Sequence, residues 1–195
     1  MVICTFILVV WSVVLKAPLE APASSFKIPN PSKAPWYFLG LQELVAHSAF
    51  MGGIGIPGIV LIGLGLIPFL DREHAGTGDW FGGAGGVALV KQALLVGCAS
   101  TLAIEAFAIR FGWIREWFPG VPQLVVTLVN PGTVLTAVFA AYSVWLVKRH
   151  ESTRAGALGL FTCFLCGFTI LTVIGTWFRG PNWNFYWWPS QWPVH

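Results

Sequence analysis

Residues 87–109 read VALVKQALLVGCASTLAIEAFAI, an apolar run in which Lys91 and Glu105 are the only charged side chains. A helix needs about 20 predominantly apolar residues to cross the hydrocarbon core of a bilayer, so this run reads as a transmembrane span. Runs of the same kind occupy residues 50–70, 121–147 and 156–178, and a shorter one occupies 2–15. With 56% hydrophobic and 10% charged residues in a chain of 195, and a mean hydropathy of +0.73, there is too little polar surface to cover a water-soluble globule. The sequence therefore predicts an all-α, polytopic membrane protein. We expect one domain over 1–195, with five transmembrane helices and a short interfacial helix.

The first span has only 14 apolar residues before Lys16. It would need bilayer thinning, snorkelling of Lys16 or a packing partner to cross. Ala21-Pro22-Ala23 loosely imitates a signal-peptide cleavage site, but no Lys or Arg precedes the apolar run, which favours a retained helix. The net charge of +3 is small and its bearers are scattered, which argues against a nucleic-acid partner and leaves the lipid membrane as the expected environment. Orientation by positive charge is close to a tie. Trp36, Trp113, Trp117, Trp183, Trp187, Trp188 and Trp192 fall on the face opposite the N-terminus, an aromatic layer suited to interfacial anchoring or to docking a peripheral partner.

Pro18, Pro22, Pro29, Pro31 and Pro35 make residues 16–35 a stiff, extended loop. From Trp36 to Phe50 the apolar positions follow a helical period, with Gln42, Glu43 and His47 between them. The second span is rich in glycine and holds Pro57, which predicts a close helical neighbour. Gly82-Gly83-Ala84-Gly85-Gly86 lacks the strand context and the Lys-Ser/Thr ending of a phosphate loop. Asn130-Pro131-Gly132 predicts a kink in the fourth span, whose freed backbone groups would need partners such as Thr127 or Asn130.

Chemistry is sparse. Cys163 and Cys166 have the spacing of a c-type haem attachment but are followed by Gly167, so they read as small filler between helices, as do Cys4 and Cys98. His47, His74, His150 and His195 supply no axial pair inside a span, so the chain is expected to ligate no haem and no metal of its own. Glu105 is the one acid deep in a span, and an intramembrane carboxylate is a functional suspect. Its closeness to Arg110 predicts snorkelling toward the interface instead. Glu43 and His47 share one helical face, either as a proton relay or as solvated polar positions.

Taken in order, Pro18-Leu19-Glu20, the proline loop, Trp36-Tyr37-Phe38 and Ile67-Pro68-Phe69-Leu70-Asp71 resemble the C-terminal half of cytochrome b. That half exists separately as subunit IV of cytochrome b/f-type complexes. The resemblance covers about residues 1–75, leaving 76–195 as additional helices and an aromatic tail. It implies a membrane electron-transfer subunit that forms part of a quinol site in a cytochrome b-containing quinol oxidoreductase. Such a subunit is not autonomous: it would serve a quinol:cytochrome c-type oxidoreductase. It further implies quinol or quinone, in a menaquinol-using version, bound by Pro35, Trp36, Tyr37 and Phe38. Haem b would lie in a partner of the cytochrome b N-terminal type, with a Rieske-type iron-sulfur protein and a c-type cytochrome beyond it. The implied setting is a bacterial cytoplasmic membrane, with the N-terminus cytoplasmic and the Trp36 loop and C-terminus outside.

Two departures stand against the family pattern. Where the family's Pro-Glu-Trp-Tyr motif carries a glutamate thought to take a quinol proton, this chain has Pro35, and Glu43 and His47 become the candidate catalytic replacements. Five spans exceed the three of the plant-type subunit. The competing expectation is a structural membrane anchor of a respiratory or photosynthetic complex with a vestigial quinone site. A transporter half would need paired broken helices around a polar centre, and only one break is present.

Overall fold

The computed structural model describes residues 2–14, 30–71 and 84–193. The Pro18-Leu19-Glu20 phrase, the Ala21-Pro22-Ala23 sequence, Lys16, His74, Gly82, Gly83 and His195 lie outside the described residues. Among the described residues the chain is helical, and its one β-like feature is an isolated bridge between Arg179 and Phe185. The helices are α1 (Val2–Val14), α2 (Trp36–His47), α3 (Ile56–Leu70), α4 (Ala84–Phe111), α5 (Ile114–Trp117), α6 (Gln123–Leu128), α7 (Pro131–His150) and α8 (Thr153–Val173). Single wide turns, Met51–Gly55 and Ile174–Phe178, lead into α3 and out of α8.

Four helical segments are long and apolar enough to span a membrane: Met51–Leu70, Gly85–Trp117, Pro131–His150 and Thr153–Phe178. The fifth expected span is shorter. The 13 residues of α1 give about 20 Å of helix against the ~30 Å of a bilayer core.

The bundle is organised on α8, which packs against α4, α7 and α2. Small residues on α8 make this possible, because without a hydrophobic force between helices in lipid, association depends on close backbone approach. A methyl group added at Gly97 of α4 would stand 2.9 Å from the Cα of Cys163, and one at Gly167 of α8 would stand 3.2 Å from the Phe139 ring on α7. The core between the three helices is Ala93, Leu135, Phe139, Cys163 and Leu171. Cys163 is buried there with its thiol directed at the Ala93 carbonyl, 3.4 Å away, and the four cysteines are free thiols.

Local chemistry sets the helix ends. Asn130 does not kink a continuous span. It ends one helix system and caps the next: its Oδ1 accepts from the Thr133 N–H at 3.0 Å, while its amide donates to Thr133 Oγ1 at 2.7 Å and to the Thr127 carbonyl. Pro131 follows at the first helical position, where a missing N–H costs nothing. The residues expected to satisfy the broken backbone are thus the ones that do so. At the other end of α7, Glu151 adopts a left-handed conformation (φ 48°) and Ser152 caps α8 by accepting from the Ala155 N–H, giving a tight α7–α8 hairpin.

The second span departs from expectation. Of its glycines, Gly52 is pressed against the backbone of Val45, but methyl groups at Gly53, Gly58, Gly63 and Gly65 would meet nothing within 4 Å. Among the described residues most of α3 therefore has no neighbour, although its end is tied to the start of α8 by a partly exposed Asp71–Arg154 pair at 2.9 Å.

Candidate functional site

Helix α2 lies across the ends of α8 and α7. Gly40 lets it settle onto α8, since a methyl group there would be 2.8 Å from Thr172 Oγ1 and 3.0 Å from the Phe168 carbonyl oxygen. Before it, Gln42 folds the proline loop back by accepting from the Ala34 N–H and donating to the Ser32 carbonyl, both at 2.8 Å. Lys33 donates to the Thr176 carbonyl at 2.7 Å, and partial burial lowers its pKa from the ordinary 10.5.

With α2 so placed, positions 40, 43 and 47 form one stripe facing the bundle. Glu43 on that stripe is 0% exposed, which rules out a solvated polar position. Its carboxylate accepts from Arg179 Nε at 2.9 and 3.0 Å, from Arg179 Nη2, and from Trp183 Nε1 at 2.9 Å. Arg179, 8% exposed, is positioned by the turn after α8, where the Arg179–Phe185 bridge and a Tyr186 N–H to Phe178 carbonyl bond fold the aromatic tail back. Phe178 and Phe185 stack at this turn and Trp187 meets both edge-on, with centroids 5.1–5.8 Å apart.

His47 Nε2 lies 4.0 Å from Glu43 Oε1 and 3.9 Å from Glu105 Oε1. Those separations suit ion pairing but exceed hydrogen-bond reach. Glu105 does not snorkel. It is 2% exposed and points across from α4 to α2, and both its Oε2 and His47 Nε2 are buried without a hydrogen-bond partner. One ligand atom from each of Glu43, His47 and Glu105 falls within 4.8 Å of the others, a spacing that could hold a metal ion. A cation there would have to share Glu43 with Arg179, whose guanidinium already occupies both carboxylate oxygens. A proton makes no such demand on Glu43, since Glu105 Oε2 and His47 Nε2 are both without a hydrogen-bond partner.

The expected quinone-binding residues sit elsewhere on α2. Pro35 is its N-cap residue, and Trp36, Tyr37 and Phe38 form an exposed ledge, Trp36 69% exposed, with neighbouring ring centroids 5.6 and 5.1 Å apart. Eleven residues separate Trp36 from His47, about 16 Å along the helix axis. The fold thus joins Glu43 and His47 to each other and to Glu105, and leaves the exposed aromatic ledge at the opposite end of α2. Sequence reasoning missed Arg179 and Trp183 as partners of Glu43. Arg179, the one charge between the last span and the aromatic tail, was the available signal.

Comparison of the chain with protein-family models, with curated proteins and with solved structures finds no match.

Proposed function

We propose that this chain is a membrane electron-transfer subunit contributing one wall of a quinol site to a cytochrome b-type quinol oxidoreductase. The haem that receives the electrons belongs to a partner chain. The observation that carries the reading is the buried Glu43–His47–Glu105 cluster, whose two unpartnered atoms provide proton-accepting capacity inside a membrane bundle. Quinol oxidation releases protons as electrons leave, and a positioned base within reach of the hydroxyl accelerates that transfer by roughly 10²–10⁴. Because a ring cannot span about 16 Å of helix, the head group contacts the edge of His47, while the Trp36–Phe38 ledge supports the isoprenoid chain.

An azido-quinone photolabel applied to the intact complex tests this. We expect label in the peptides carrying Trp36–Phe38 and His47–Phe50, competed by unmodified quinone. Label confined to other chains would reject the site. The structural-anchor reading draws support from the locking of Glu43 by Arg179, and it gains if His47→Gln leaves quinol oxidation unchanged.

A further inference from the structure

We propose that Glu105, not Glu43, is the terminal proton acceptor of this site, and that Glu43 is a fixed counter-charge. The proposal rests on the quinol reading above and assigns roles within that site.

The two carboxylates differ in what holds them. Both oxygens of Glu43 are committed to charge-assisted hydrogen bonds from Arg179, with Trp183 Nε1 added on Oε2. Protonating it would sacrifice those bonds and leave a buried guanidinium uncompensated, a cost of several kcal/mol in comparable pairs. Glu105 has no such commitment. Its Oε2 has no partner, His47 Nε2 lies 3.9 Å from its Oε1, and a Glu43 carboxylate oxygen lies within 4.8 Å. Thr101, one turn earlier on α4, donates its hydroxyl to the Gly97 carbonyl and not to the acid. Tyr142 of α7 and Cys163 and Cys166 of α8 pack lower in the bundle, around Ala93 and Gly97, about two to three turns of α4 from Glu105.

The acid–base step balances on these atoms. A quinol O–H bond breaks as an N–H bond forms at His47 Nδ1, since Nε2 is buried against the carboxylates. The Nε2–H then breaks as an O–H forms on Glu105, which returns His47 to its neutral form. The electrons leave one at a time to the partner's haem, and the second hydroxyl proton leaves by another route. His47, the only member of the trio with an exposed edge, is the entrance, and Glu105 is the reservoir. After the transfer, Glu43, Arg179, neutral His47 and protonated Glu105 sum to zero charge, which is what a low-dielectric interior favours.

The test uses the intact complex. Glu105→Gln should slow quinol oxidation by roughly two to four orders of magnitude and flatten its pH profile, with haem content and azido-quinone labelling unchanged. Glu105→Asp should restore part of the rate. Wild-type complex treated during quinol turnover with a membrane-permeant carbodiimide, which reacts with protonated carboxyls, should carry the adduct on Glu105 and none on Glu43 by peptide mass spectrometry. This arm does not depend on any variant assembling. An unchanged rate and pH profile in Glu105→Gln, or an adduct on Glu43 with none on Glu105, would overturn the assignment while labelling by azido-quinone leaves the quinol reading standing. Loss of that labelling in the wild type removes both.

Discussion

Replacing Arg179 with methionine keeps most of its stem and deletes the guanidinium. Glu43, wholly buried, would be left with Trp183 Nε1 as its one remaining donor. Two donor groups, Nε and Nη2, are lost. At ~1.5–3 kcal/mol for each hydrogen bond to a charged group, the loss is about 3–6 kcal/mol. Breaking a buried pair from one side gives a similar ~3–5 kcal/mol by an independent route. An exposed ion pair would cost about 0–1 kcal/mol. The assay is reversible denaturant titration of the purified protein in mild detergent, followed by tryptophan fluorescence. The double variant Arg179→Met with Glu43→Gln should recover a large part of the loss, since no buried charge remains unpaired. A single-variant cost below about 1 kcal/mol, or a double variant no more stable than the sum of its singles, would show that this pair is not the buried contact described.

Gly52→Ala should sharply lower the thermal midpoint, because the new methyl would stand 2.4 Å from the Val45 backbone nitrogen, whereas Gly53→Ala, with open space around it, should not; differential scanning in detergent compares them. Asn130→Ala removes the α7 cap and leaves the Thr133 N–H unserved, with the Thr127 carbonyl kept only by the Thr133 hydroxyl, so it should cost about 1–2 kcal/mol in the same titration. Lys33 gives a pH test. Its folded pKa lies below the ordinary 10.5, so between those two values the unfolded chain holds more protons and stability rises with pH; melts from pH 8 to about 10.5 should show that rise in wild type and lose it in Lys33→Met.

How much of this was legible in the sequence varied with the range of the interaction involved. Four spans and the amphipathic segment after Pro35 are written in local hydropathy and proline placement, and the fold places them accordingly. The role of Asn130 was half legible: the break and its partners could be read, but whether the chain bends or restarts depends on how α6 and α7 pack. Glu105 was misread because Arg110, five residues on, offers a local escape to the interface. The partner that keeps the side chain inside, His47, lies on another helix. Arg179 was missed for the same reason, since its contact with Glu43 spans 136 residues. The glycines of α3 misled in the opposite direction, because small residues announce a neighbour without saying which chain supplies it.

That separation of 136 residues also sets a clock on biosynthesis. At ~5–20 residues per second, a ribosome that has finished Glu43 needs about 7–27 s to reach Arg179. Throughout that interval the carboxylate has no guanidinium, so it either stays at the aqueous edge of the membrane or enters carrying a proton. Only after α8 is inserted and its turn folds back can Glu43 be sealed as an anion. The clasp made by the aromatic turn thus certifies that every intervening helix has arrived. A chain whose α7 or α8 fails to insert would display an unclasped α2 to the cell's proteolytic surveillance.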